Sequence, residues 1–184
     1  MTFNTAVSNP KATTNLIIVM GVSGSGKTTL AKALAELYGY EFLDGDDFHS
    51  AEARALMAEG VPLTDDHRAP WVATIKKYLQ ANASQEKHAV LAFSGLKHKH
   101  RDILRSAGLR TLVIHLTGNM DTIADRISQR KGHFMAPALL ASQFDALETP
   151  LNEADVVTLD VSTDFAQVLT QARQVVDEIL LEKA

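Results

Sequence analysis

The residues Gly21-Val-Ser-Gly-Ser-Gly-Lys27-Thr28 fit the spacing G-x-x-x-x-G-K-[ST]. Glycines so placed let successive backbone N–H groups turn toward one point, and a helix opening near Lys27 adds partial positive charge there. Such a loop can cradle a polyphosphate without large side chains. Lys27 is expected to reach the β- and γ-phosphates of a nucleotide, and the Thr28 hydroxyl to ligate magnesium, a cation that keeps several waters and bridges phosphate oxygens. The nucleotide-binding set is therefore Gly21, Val22, Ser23, Gly24, Ser25, Gly26, Lys27, Thr28 and Thr29. A ligand-free glycine-rich turn would leave the eight-residue pattern, the apolar run before it and the helix after it as coincidences. A dinucleotide fingerprint G-x-G-x-x-G is absent.

A second group of reactive side chains lies in Leu43-Asp44-Gly45-Asp46-Asp47-Phe48-His49. If the strand period of two continues through it, Asp44 and Asp46 share a face at the C-terminal edge of a sheet, where open α/β folds bind ligands. One carboxylate could then hold a magnesium-bound water while the other accepts a hydrogen bond from an attacking hydroxyl. The bland alternative is an acidic turn solvated at a strand end.

These groups need a scaffold, and the chain alternates short apolar runs with longer segments of helical periodicity, the pattern of an α/β protein with a parallel sheet. Strands are predicted at 16–20, 41–44, 88–93, 110–116 and 155–160, and helices at 27–38, 51–58, 67–81, 97–106, 120–129, 137–147 and 165–182. Pro70 and Pro137 suit first-turn positions, and Gly39 suits the end of the first helix. Residues 1–15 read as a flexible N-terminal tail and 16–184 as one domain, with an insertion at 47–66 that could form a substrate-side flap.

The 184 residues, 46% of them hydrophobic, suffice for one sizeable core. A net charge of −4 argues against general binding to nucleic acid or anionic membrane, and no apolar stretch is long enough to span a bilayer. The absence of cysteine excludes disulfides and thiolate chemistry and fits a cytoplasmic protein.

With these elements in order the chain resembles the P-loop gluconate kinases, the thermoresistant gluconokinase family, related to shikimate and nucleoside monophosphate kinases. The resemblance rests on Met20–Thr28, Leu43–His49, Met57–Asp66 with Arg68 and Pro70-Trp71, Ser94-Gly-Leu-Lys97 with Arg101-Asp102, and Arg130–Met135 with Ser142-Gln-Phe144 and Leu147-Glu148. It implies a P-loop fold with strand order 2-3-1-4-5, and the reaction of ATP with D-gluconate to give ADP and 6-phosphogluconate. It also implies Asp44 near magnesium, Asp46 near the acceptor hydroxyl, and a mobile lid at about 130–136. Arg126 would lie near the adenine and Arg130 near the phosphates, which makes Lys27, Asp46 and Arg130 the catalytic set. Relatives suggest a homodimer.

A sugar acid carries one carboxylate and many hydroxyls, so its pocket should combine fixed cations with donors and acceptors. Candidates beside Asp46 are His49, Arg68, Lys97, Arg101, His133 and Gln143. Trp71, at helical spacing with Val72 and Ile75, reads as core rather than pocket wall. The run Lys97-His-Lys-His-Arg101 reads as a solvated or anion-facing helix start rather than a metal cluster. The family pattern is broken at Ser50, Ala53 and Leu56, which replace Pro, Asn and Lys, and at Phe93, Gly95 and His100, which replace Cys, Ala and Tyr. These departures bear on which sugar acid fits. Shikimate kinases' glycine triplet and the guanine-reading Asn-Lys-x-Asp of GTPases are missing, whereas a non-catalytic nucleotide-responsive module would have no use for an acceptor carboxylate.

Overall fold

The computed structural model describes residues 5–128 and 137–181. Its centre is β1 (Asn15–Met20), buried along its whole length because strands lie on both sides and helices on both faces. Parallel neighbours are β3 (Ala89–Ala92) and β4 (Arg110–Thr117); β2 (Glu41–Asp44) flanks β3, and β5 (Val156–Asp160) flanks β4. The order β2-β3-β1-β4-β5 is the one the resemblance implies.

Strand periodicity sorts the core into two layers. Ile17 and Val19 of β1 face α1 (Lys27–Tyr38) and α7 (Phe165–Val176), packing with Leu30, Leu34, Val168 and Val175. Leu16, Ile18 and Met20 point the other way, toward α3 (Asp65–Ser84) and α4 (His98–Arg105), where Trp71, Ile75, Leu79 and Leu104 meet them. A smaller cluster of Val22, Leu96, Ile123 and Leu140 joins the phosphate loop to α5 (Met120–Ser128) and α6 (Pro137–Ala146). Between β2 and α3 lie a 3-10 turn, Gly45–Phe48, and α2 (Ala51–Ala58), which the Ser50 hydroxyl caps by accepting from Ala53 N. Among the described residues no helix is long and apolar enough to cross a membrane.

Three expectations need correction. Helix α3 begins two residues before 67, because Thr64 and His67 form a reciprocal capping box: Thr64 Oγ1 accepts from His67 N, and His67 Nδ1 from Thr64 N. Pro70 therefore sits inside the helix, on its exposed side, and not in the first turn. The last helix changes to a π-helical turn at Asp177–Leu181 instead of running on as α.

Nor is the described part of the N-terminal segment loose. Residue Val156 of β5 pairs only with Val113, which leaves the start of β4 without a neighbour on that side. Unpaired strand amides need partners, and Ser8 supplies them by exchanging backbone hydrogen bonds of 3.0 Å with Thr111. Ala6 N donates to Ala154 O at 2.8 Å, and Asn9 Nδ2 to Arg105 O at 2.7 Å, so the segment is a strap across the lower sheet.

Candidate active site

The phosphate loop runs from the end of β1 to Gly26, whose φ of 99° belongs to the left-handed region where glycine carries no Cβ penalty. Gly24 has φ 80°, and a Cβ built on it would fall 2.5 Å from Ile127 Cγ1, so the loop is packed against α5 with no room for a side chain. Ser23 N donates to Gln143 Oε1 at 2.6 Å, tying the loop to α6. Lys27 Nζ donates to Val22 O at 3.0 Å, which folds the ammonium over the loop.

Asp44 ends β2 directly beside this loop, its Oδ2 3.5 Å from Thr28 Oγ1. Its other oxygen accepts from Asp46 N at 3.1 Å and caps the 3-10 turn. The strand period therefore does not carry through to Asp46, because the chain turns as soon as β2 ends. Burial raises the Asp44 carboxyl above its ordinary range, the Asp46 N–H and Lys27 opposing that shift. The Asp46 side chain is 83% exposed and lies 3.8 Å from His49 Nε2. His49 is buried, its imidazole stacked on Trp71 at 4.1 Å between centroids, and its Nδ1 has no protein partner. Burial pushes its pKa down against the pull of Asp46, which favours the neutral ring.

Two clefts meet at this point. One, of about 470 Å³, is lined by the phosphate loop with Thr28, Thr29, Asp44 and Ala92. The other, of about 180 Å³, lies between Met57 and Val61–Leu63 on one side and Leu96, Leu139 and Ser142 on the other, with His49, Arg68, Trp71 and Gln143 in its wall. Ser23, Lys27, Asp46 and Ser94 line both. Arg68 brings a half-buried cation; burial lowers its pKa while Asp65, 3.9 Å away, raises it.

The structure thus brings together Ser23, Gly24, Gly26, Lys27, Thr28, Thr29, Asp44, Asp46, His49, Arg68 and Gln143. Other candidates go elsewhere. Arg101 is buried and donates to Glu153, to Gly95 O at 2.5 Å and to Glu148 O at 3.0 Å. Lys97 pairs with Glu148 at 3.3 Å. Neither lines the two clefts. Arg126 reaches across to Val161 O and Thr163 O, joining α5 to the loop after β5. His100 is buried with Arg101, so the cationic run before and in α4 is only partly solvated. Arg130, His133 and the lid at 130–136 lie outside the described residues. Trp71 turns out to be both core and wall. Sequence reasoning passed over Ser94 as a site residue; its carbonyl accepts from Gly21 N at 3.2 Å, and its place after a buried strand facing the phosphate loop was the available signal.

Comparison with known proteins adds a family to this geometry. A family model described as an AAA domain matches residues 16–150. The thermosensitive gluconokinase of Escherichia coli K12 is 41% identical over 160 residues, covering 86% of each chain. Of solved structures, a gluconokinase from Sinorhizobium meliloti 1021 is 40% identical with a TM-score of 0.80, over 86% of this chain and 89% of its own. A sugar kinase from Janibacter sp. HTCC2649 is 38% identical with a TM-score of 0.85, over 93% and 98%.

Proposed function

The chain belongs to the gluconokinase family, and from that premise we propose that it transfers the γ-phosphoryl group of ATP to a hydroxyl of D-gluconate, giving ADP and 6-phosphogluconate. The observation that carries the reading is the junction of the two clefts at Ser23, Lys27, Asp46 and Ser94. A phosphate cradle on one side and a cation-bearing acceptor cleft on the other meet where an acceptor oxygen has to reach phosphorus.

Phosphoryl transfer needs mainly positioning and charge neutralisation. The loop amides and Lys27 hold the phosphates in line. Asp46, within reach of both clefts, accepts the proton of the attacking hydroxyl as the new O–P bond forms and the bond from Pγ to the bridging oxygen of ADP breaks. Thr28 Oγ1 and Asp44 Oδ2 are hard oxygen donors on the phosphate side, which suits magnesium, an ion commonly held by one or two protein oxygens plus substrate phosphates. Bound there, its contribution is neutralisation of charge on the phosphate oxygens. Arg68 supplies a cation for the sugar-acid carboxylate, with His49, Ser142 and Gln143 as hydrogen-bonding groups for hydroxyls. The segment 47–66 acts as the flap over this acceptor, and the reaction takes place in the cytoplasm.

The departures from the family pattern at Ser50, Ala53, Leu56 and Phe93 fall outside the acceptor cleft and so do not count against gluconate. Ser50 and Ala53 line a separate cleft of about 380 Å³ on the other side of Trp71, and Leu56 lines neither active-site cleft. Phe93 lies behind Trp71 in the core. The test is a coupled ADP-release assay with ATP, magnesium and a panel of gluconate, other aldonates, shikimate and nucleoside monophosphates, with the product mass checked. Turnover with gluconate well above the rest is expected; turnover with another acceptor but not gluconate overturns the assignment.

A further inference from the structure

An acceptor carboxylate must be aimed, and Asp46 has little packing of its own to aim it, its side chain being 83% exposed. Its direction has to come from the backbone of the four-residue turn Gly45–Phe48. The Asp44 carboxylate accepts from Asp46 N and Arg54 donates to Asp47 O, and against the sheet the turn is held at Gly45. Gly45 lies so close to the end of β3 that a Cβ on it would stand 2.7 Å from Ala92 O, and its carbonyl accepts a buried hydrogen bond of 2.6 Å from Trp71 Nε1. The same indole stacks on His49, with the rings 17° from parallel, while Phe93 supports it at 4.8 Å. His49 in turn stands beside the Asp46 carboxylate.

We propose that Trp71 is the positioning residue of the acceptor carboxylate: its N–H fixes the turn that carries Asp46, and its ring fixes the imidazole beside it. Trp71 thereby acts on the reaction through Asp46 without touching the reacting atoms. The geometry also explains why this residue is a tryptophan. A phenylalanine or leucine would fill the core, but neither could hold the Gly45 carbonyl, a buried acceptor that otherwise lacks this donor.

The kinetic part of the test rests on the kinase reading above, whereas the amide-exchange part does not. Trp71→Phe keeps an aromatic ring and loses the N–H. With gluconate as acceptor, kcat is expected to fall about tenfold, KM for ATP to stay within about twofold, and the same substitution to change kcat by less than about twofold in an Asp46→Asn background. Backbone amides of residues 44–49 should exchange faster in Trp71→Phe while those of α1 keep their protection. Equal kinetic losses in both backgrounds, or unchanged exchange at 44–49, overturn the proposal. Because Trp71 is the chain's single tryptophan, global replacement by β-(3-benzothienyl)alanine, which has sulfur in place of the indole N–H, tests the same bond with the ring size kept, should Trp71→Phe fail to fold. If the wild-type protein does not turn over gluconate the substrate assignment fails, and the exchange result alone still decides the role of Trp71.

Discussion

Asp46 and Lys27 face the same junction between clefts, yet their chemistry separates them. In the proposed reaction Asp46 meets the acceptor hydroxyl, so Asp46→Asn should lower kcat by at least about a hundredfold and leave nucleotide affinity nearly unchanged, since a positioned base contributes about that much. On the same reading Lys27→Ala removes a cation from the phosphates and should bring transfer below detection while weakening nucleotide binding as well. Steady-state kinetics beside nucleotide titration calorimetry distinguishes the two patterns, and an Asp46→Asn enzyme with unchanged kcat would remove Asp46 from the chemistry. At this scale the sequence points to the residues that line the clefts at the phosphate loop, Asp44, Asp46, His49, Arg68 and Gln143, because residue type and motif carry their chemistry. Arg101 and Lys97 look like acceptor cations in the sequence, and their carboxylate partners, Glu153 and Glu148, lie about fifty residues further along the chain. No local pattern tells a cation facing a ligand from one facing a distant carboxylate. Ser94 has neither charge nor a spacing rule, and only the pairing of β3 with β1 places it at the junction.

Elements reach the site through contacts that are themselves polar. Arg101 and Arg105 of α4 both bind Glu153 ahead of β5, and Arg105 also holds Asp155, which receives the Ser8 hydroxyl. Through its bond to Gly95 O, the buried Arg101 also fixes the loop that presents Ser94. Removing one partner of a buried pair leaves an uncompensated charge, at a cost of about 3–5 kcal/mol. Glu153→Ala should therefore lower the unfolding free energy read from urea melts by up to about that much, because Arg101 keeps only carbonyl partners while Arg105 keeps Asp155 and Asp102, and the double variant with Arg101→Met should recover part of the loss. A midpoint within error of wild type would mean that the arginines find other partners. The boundaries of α1 and α2 agree with the periodicity because glycine and serine mark them in familiar ways. The start of α3 escaped because histidine, not glutamate, completes its capping box, and Pro70 pointed to a start further along.

For the whole molecule, the apolar runs indicated a parallel sheet, but the order of its strands came through the resemblance, since hydrophobic runs do not name their neighbours. One consequence of that order is polar. It buries His115 of β4 in the middle of the sheet, 2% exposed, with Nδ1 3.5 Å from Thr158 Oγ1 of β5. Burial, aided by Arg101 and opposed by Glu153, lowers its pKa to about 4 from an ordinary 6.5. A depressed folded-state value means that the unfolded chain takes up the proton first, so stability present above pH 6.5 is lost as pH falls toward 4, by up to about 1.4 kcal/mol per unit crossed. Burial shifts His49 and His100 in the same direction. Glu153 follows lower down: burial would raise it, but hydrogen bonds from Arg101, Arg105 and His98 outweigh that and hold it at about 2, so its contribution is lost below about pH 4.5. Asp44, raised by burial, works the other way near the bottom of this range. Thermal melts should therefore show Tm falling as pH drops from 7 to 4. In His115→Gln that slope should be shallower but not absent, because His49, His100 and Glu153 remain; an identical slope in the variant would mean that the acid sensitivity comes from groups other than His115.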